Sequence, residues 1–283
     1  MRIKPKKKLG QNFLVDRNVL RRIAFACGLE RGDRVLEIGA GKGELTTLLA
    51  ETDAEVAAVE IDCDLLPELG RVVSGRDNVR VINSDILKLN IRSLYDSFLA
   101  GGERGLKAVG NIPYYIASPI LEKLLLEGRG LVSEIYLTVQ LEYGQRLCAQ
   151  AGSDEYGPLS LFAQYYGDAA VLFKIKNSCF YPVPKVDSCF VRLIPRKTLP
   201  LEGEAQKIFF RLAAAAFGQR RKMLKNTLKD LIEREELERF LQDKGIPAQA
   251  RGEVLSPDDF IELAKYSLTL RKNPSARPPP GPA

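Results

Sequence analysis

R-V-L-E-I-G-A-G-K-G-E-L-T, residues 34–46, decides the fold. Arg34–Ile38 reads as a buried strand and runs straight into Gly39-Ala40-Gly41-Lys42-Gly43, after which Leu45, Leu48 and Leu49 recur at helical spacing. A strand, a glycine turn and a helix in that order open a βαβ unit. Outward from it the alternation repeats. Val56–Glu60 reads as a second strand, Val79–Asn83 as a third, Ala108–Gly110 as the end of a fourth and Ile135–Val139 as a fifth, with helical stretches between them. β-rich segments follow near 169–175 and 188–194. Upstream, Asp16 is positioned to cap a helix through about Cys27, with Val19, Leu20, Ile23 and Ala24 at helical spacing and Gly28 as its stop. The expectation is an open, mainly parallel α/β sheet.

The pattern changes after Pro195. Residues 204–271 hold no convincing strand; their helical runs are broken at Gly218, Gly245 and Pro247, and Ser256-Pro257-Asp258-Asp259 starts the last helix. The expected organisation is a basic N-terminal arm over 1–11, a sheet domain over 12–196, a small all-helical domain over 203–272 and a Pro-rich disordered tail over 273–283.

Composition removes several functional classes. The 283 residues are 45% hydrophobic and 28% charged, the balance of a soluble globular chain. No apolar run approaches the roughly 20 residues that span a bilayer, and no signal-type hydrophobic region opens the chain, so no membrane partner and a cytoplasmic location are expected. The five cysteines (27, 63, 148, 179, 189) are scattered and never spaced C-x-x-C, which points to reduced thiols and no metal. Histidine is absent altogether. Imidazole bases, Ser-His-Asp triads and His-ligated metals are thereby excluded, so chemistry must run on carboxylates, amides, backbone groups or a cofactor.

The net charge of +6 is unevenly spread. Residues 1–22 carry eight basic residues, Lys6, Lys7, Lys8, Arg17, Arg21 and Arg22 among them, against Asp16 alone. Residues 207–229 carry seven, including Arg220, Arg221, Lys222 and Lys225, and no acid, so the remainder nets −8. Two cationic patches on an acidic body suit a polyanion, with solvated faces as the ordinary alternative.

The glycine turn and Glu60, about twenty residues on at the end of the second strand, suit a ribose-bearing cofactor: Gly39 and Gly41 let it approach the strand ends, and the acid accepts from ribose hydroxyls. A dinucleotide fingerprint would need a third glycine where Glu44 stands; Gly43 makes G-x-G-x-G instead, which favours S-adenosylmethionine over NAD. Asp85, in N-S-D-I-L after the third strand, is positioned to accept an adenine amine.

After the fourth strand comes Gly110-Asn111-Ile112-Pro113-Tyr114-Tyr115. An exocyclic base amine is a poor nucleophile because its lone pair is delocalised into the ring. An Asn side-chain oxygen and a backbone carbonyl beside a proline can accept both its hydrogens and hold the nitrogen in line with a sulfonium methyl. Tyr114 can stack on the extruded base. None of this needs histidine.

Gly10-Gln11-Asn12-Phe13-Leu14, residues 35–46, N-S-D-I-L (83–87), G-N-I-P-Y-Y-I (110–116) and F-Y-P-V-P-K-V-D-S (180–188) occur in the order seen in ribosomal RNA adenine dimethyltransferases, which the chain resembles over about residues 5–270. A-A-F-G-Q-R-R-K-M-L-K-N-T-L (215–228) resembles the bacterial small-subunit, kasugamycin-resistance branch. The resemblance implies a Rossmann-like class I methyltransferase sheet with a small all-helical C-terminal domain. It also implies transfer of two methyls from S-adenosylmethionine to N6 of each of two adjacent adenines in a hairpin near the 3′ end of 16S rRNA. The substrate it implies is the assembling 30S subunit, with the enzyme acting as a monomer. By the same resemblance Asn12, Leu14, Gly39, Glu60, Asp85 and Asn111 contact the cofactor, Asn111, Pro113 and Tyr114 orient the amine, and Phe180 forms the other face of a base sandwich. Asn12 beside Phe13 and Leu14 suggests an arm folding over the cofactor as a lid. The chain departs from the family at 139–147 (V-Q-L-E-Y-G-Q-R-L), where Q-K-E-V-A is more usual and the basic residue beside Gln140 is lost. Two other readings stand beside this one: a large-subunit methyltransferase of the macrolide-resistance type, and an assembly factor acting mainly by binding.

Overall fold

The computed structural model describes residues 5–99, 105–219 and 221–272. The first residues of the arm, Arg220 and the Pro-rich tail lie outside them. The described residues fall into two compact units, one drawn from Met1–Gln145 and Gly167–Lys197, the other from Arg146–Tyr166 and Thr198–Ala283.

The strands of the first unit are β1 (Phe13–Leu14), β2 (Arg34–Ile38), β3 (Glu55–Glu60), β4 (Val79–Asn83), β5 (Leu106–Asn111), β6 (Val132–Gln140), β7 (Gly167–Ile175), β8 (Phe180–Tyr181) and β9 (Ser188–Pro195). Seven of them form one mixed sheet in the order β4-β3-β2-β5-β6-β9-β7. From β4 to β6 the pairing is parallel, while β9 is antiparallel to both its neighbours. Central position explains why every residue of R-V-L-E-I is buried: the strand has hydrogen-bonded neighbours on both edges and covered faces. The helices are α1 (Arg17–Ala26), α2 (Glu44–Ala50), α3 (Leu66–Val72), α4 (Ile91–Leu94), α5 (Ala117–Leu126) and α6 (Leu141–Cys148). Asp16 caps α1 as its sequence position predicts, its Oδ1 accepting from the Asn18 and Val19 N–H groups at 2.9 and 3.0 Å.

The chain runs out from β2 in one direction to β3 and β4 and returns to β5 on the other side, so a crevice opens between the carboxyl ends of β2 and β5. At that point the backbones are tightly packed. A Cβ on Gly110 would come within 2.9 Å of the Ile38 carbonyl oxygen and the Ile112 side chain, which is why a glycine precedes Asn111. Gly43, at φ +90°, starts α2 against Leu69, whose Cδ1 a Cβ there would meet at 2.9 Å.

A second, two-stranded sheet pairs β1 with β8, Phe13 opposite Tyr181 and Leu14 opposite Phe180. Nothing in the periodicity announces strands two residues long. They tie the N-terminal segment to the loop before β9.

The second unit is helical: α7 (Pro158–Tyr166), α8 (Gly203–Gly218), α9 (Leu224–Thr227), α10 (Arg234–Asp243) and α11 (Pro257–Lys272). Its core is aromatic, with Tyr165 on Phe209 at 4.6 Å between ring centroids and Phe217 on Phe260 at 5.9 Å. Residues 146–166, which the sequence reading assigned to the sheet domain, group with this unit. The physical reason is that Tyr156 and Tyr165 are buried against Phe217 and Phe209. Ser256 and Asp259 cap α11 reciprocally, the Asp259 N–H donating to the Ser256 hydroxyl oxygen at 3.1 Å and the Ser256 N–H to the Asp259 carboxylate at 2.9 Å.

Candidate active site

A cavity of about 310 Å³ occupies the crevice. The ends of β2, β3 and β5 supply its floor (Ile38, Glu60, Asn111), the turns after β2 and β5 supply Gly39, Gly41, Pro113 and Tyr114, the turn after β4 supplies Asp85, and the N-terminal segment closes it with Asn12 and Phe13. Most of the predicted site residues therefore meet in one place. Apolar contributions that motif reading passed over come from Leu65, Ile86, Ile112 and Ile120.

Glu60 is buried. Its Oε2 accepts from the Gly41 N–H and its Oε1 from the Asp62 N–H, both at 2.8 Å. Burial holds this carboxyl above its ordinary range, and the two backbone hydrogen bonds pull it part of the way back. Each oxygen keeps a second lone pair, so the group can still accept two hydroxyls of a diol. Asp85 uses Oδ1 to accept from the Leu87 N–H at 3.0 Å, closing the turn after β4.

Asn111 ends β5, and its side-chain Nδ2 donates to the Asn12 carbonyl at 3.1 Å. That bond fixes the amide plane and leaves Oδ1 as an acceptor. The Pro113 carbonyl accepts from the Ile116 N–H at 3.1 Å, whereas the Ile112 carbonyl has no hydrogen-bond partner among the described residues. Of the two carbonyls beside Pro113, the one before it is the available acceptor. Tyr114 is half-buried, and its hydroxyl shares a 2.7 Å hydrogen bond with the buried Ser188 hydroxyl. Burial pushes the phenol up, against the Ser188 hydrogen bond. Ser188 is the site residue that the sequence reading missed. Its signal in the sequence is the last letter of P-K-V-D-S.

Two predicted contacts do not line the cavity. Leu14 is buried in the core beside Leu20, Ile23 and Val35, and Phe180 is 2% exposed in the same cluster. The cause is the β1–β8 pairing, which sets Leu14 opposite Phe180 on the core side and turns Tyr181 outward at 59% exposure. A ring so enclosed has no free face for a base.

Lys6, expected on the RNA surface, is also engaged otherwise. Its ammonium lies between the Asp62 and Asp64 carboxylates at 2.5 and 2.6 Å, which raises its pKa. Gln11 donates to the other oxygen of Asp62 at 2.7 Å. Burial alone would push Asp62 up, but the Lys6 and Gln11 hydrogen bonds hold it below the ordinary carboxylate range. These contacts fasten the segment that carries Asn12. Lys7, Lys8, Arg221 and Lys222 are exposed, and Lys225 is partly so. Arg220 falls outside the described residues.

The strand order and a nucleoside-sized cavity at the turning point of the sheet define the class, a Rossmann-like α/β protein with a nucleotide-type site. Comparison with known proteins narrows it: a family model described as ribosomal RNA adenine dimethylase matches residues 2–268, and the chain belongs to that family. The ribosomal RNA small subunit methyltransferase A of Moorella thermoacetica is 42% identical over 265 residues, covering 92% of each chain. That of Staphylococcus aureus is 40% identical over 263 residues, covering 91% of this chain and 88% of its own. Among solved structures, the 23S rRNA methyltransferase ErmE is 28% identical with a TM-score of 0.73, covering 90% of this chain and 99% of its own. A dimethyladenosine transferase from Plasmodium falciparum, 24% identical with a TM-score of 0.73 over 93% of this chain and 98% of its own, shares the fold.

Proposed function

We propose that this chain transfers methyl groups from S-adenosylmethionine to N6 of two adjacent adenines near the 3′ end of 16S rRNA, dimethylating each during small-subunit assembly. The reading rests most on Asn111. With Nδ2 committed to the Asn12 carbonyl of the N-terminal segment, Oδ1 is left to accept one amine hydrogen, and the Ile112 carbonyl accepts the other. Two acceptors draw the amine lone pair out of conjugation and match the charge that develops on nitrogen. Tyr114, braced by Ser188, offers a ring face to the base.

The cavity fits the cofactor. Glu60 would hold the ribose hydroxyls with its two remaining lone pairs, Asp85 the adenine amine, and Gly39 and Gly41 admit the chain close to the backbone. When bound, S-adenosylmethionine supplies a methyl group on a positively charged sulfur. Phe13 and the apolar wall keep water away from it. Exposed Arg221 and Lys222 would meet RNA phosphates.

The small-subunit reading is favoured over the large-subunit one by relatives of that name at 42% identity, against 28% for ErmE. Incubating unmodified small-subunit particles with the protein and labelled cofactor, then analysing the rRNA by mass spectrometry, tests it. Four methyl groups on two neighbouring adenines are expected. Asn111→Ala should weaken cofactor binding no more than severalfold and lose about 10²–10³-fold in kcat. Label appearing only on large-subunit rRNA, or full activity in Asn111→Ala, would overturn the reading.

A further inference from the structure

The outer face of α1 is the least explained surface of the sheet unit. Leu20, Ile23 and Cys27 turn one side of this helix into the core. The opposite side carries Arg17, Arg21 and Phe25 at successive four-residue steps, with Arg22 alongside. Phe25 is 88% exposed, the highest among the large apolar side chains of the described residues. A single exposed ring is ordinary on a protein surface; what sets this one apart is the arginines around it. Arg17 and Arg21 are exposed and make no ion pair among the described residues, and the Arg22 guanidinium sits over the Phe173 ring at 3.9 Å. Counted as charge alone, these arginines are part of the basic N-terminus. Placed on a helix, they frame a single aromatic.

We propose that this face of α1 is an rRNA-docking surface in which Phe25 stacks on an unpaired base while Arg17 and Arg21 hold the phosphates beside it. The proposal rests on the rRNA substrate given above and adds a contact remote in chemistry from the methyl transfer. Three observations commit it to RNA. The charged side chains on the face are all cationic, complementary to a phosphate backbone. The aromatic stands among arginines, the combination by which unstacked bases are held. The helix also follows directly from the N-terminal segment: Asn12 and Phe13 line the cavity, the buried Leu14 and exposed Val15 come next, and Asp16 caps the helix on which Arg17 is the first residue. RNA held along α1 would run from the cavity edge toward the opposite edge of the sheet, where the Cys27 and Gly28 carbonyls accept from Lys107 near the start of β5. Because Phe25 contributes nothing to the core, its removal leaves the fold intact.

The test uses the full chain with unmodified small-subunit particles and S-adenosylmethionine. Phe25→Ala should raise the KM for particles by about fivefold or more, with kcat and cofactor affinity changed less than about twofold. Arg17→Gln with Arg21→Gln should lower the salt slope of particle binding by roughly 1.4, at about 0.7 per phosphate of a single strand. With a photo-crosslinking amino acid at position 25, the crosslink should fall on rRNA. An unchanged KM in Phe25→Ala, an unchanged salt slope, or a crosslink confined to a ribosomal protein would each overturn the proposal. If the wild-type chain fails to methylate the particles, the functional reading fails first and this surface falls with it; if the wild type is active and the variants match it, only the docking surface is wrong.

Discussion

Glu37 lies within β2 with its carboxyl fully enclosed, and burial, together with the neighbouring Glu60 and Glu44, pushes it up to about 8 against a smaller pull from Thr46. In the unfolded chain the same group ionises near 4.5. Between those values the folded protein keeps a proton that the unfolded chain has released, so this group's contribution to stability falls as pH rises from about 4.5 to about 8. Glu37→Gln should remove that slope. Urea midpoints measured at pH 5 and pH 8 should fall for the wild type and fall distinctly less for the variant; parallel losses would place the pH dependence elsewhere. The Tyr114–Ser188 pair allows a different measurement. If the hydrogen bond positions the ring, Ser188→Ala and Tyr114→Phe should each lower kcat severalfold, and the double variant should be no worse than either single one, because both remove the same bond. Full additivity in kcat would mean that the hydroxyls act separately.

At the level of elements, long or central segments were legible in the sequence and short ones were not. β2, its glycine turn and the acid ending β3 were readable because a buried central strand has no room for polar residues except those with a task. The Asp16 cap and the Ser256 start were readable because their geometry is local. β1 and β8 were not, since a two-residue strand has no periodicity and its partner lies far along the chain. Stacking by Phe180 is implied only by the family resemblance; an aromatic before a Pro-x-Pro turn ordinarily packs in the core, and the pairing with Leu14 turns this ring there. Phe180→Ala should accordingly cost about 3–5 kcal/mol in unfolding free energy. Phe180→Leu should recover most of that, and with it most of the methyl transfer, since an aliphatic side chain can fill the core but cannot stack on a base. Wild-type stability in Phe180→Ala with lost activity would restore the stacking role.

For the whole molecule, what matters is which unit holds the cavity. Every residue lining it belongs to the sheet unit, while Arg221, Lys222 and Lys225 belong to the helical one. On the proposed function, charge on the helical unit attracts RNA without contributing to the cofactor cavity, and the sequence concentrates seven basic residues and no acid in 207–229. Charge there acts through counterion release, which depends on salt and not on the details of the pocket. Arg221→Glu with Lys222→Glu should thus weaken particle binding most at low salt and lower the salt slope by roughly 1.5–2, while the Kd for S-adenosylmethionine stays at its wild-type value. Binding titrations from low to moderate salt, with cofactor affinity measured in parallel by calorimetry, separate the outcomes. An unaltered slope would remove the helical unit from the RNA surface, and a matching loss of cofactor affinity would mean that the two units do not work independently.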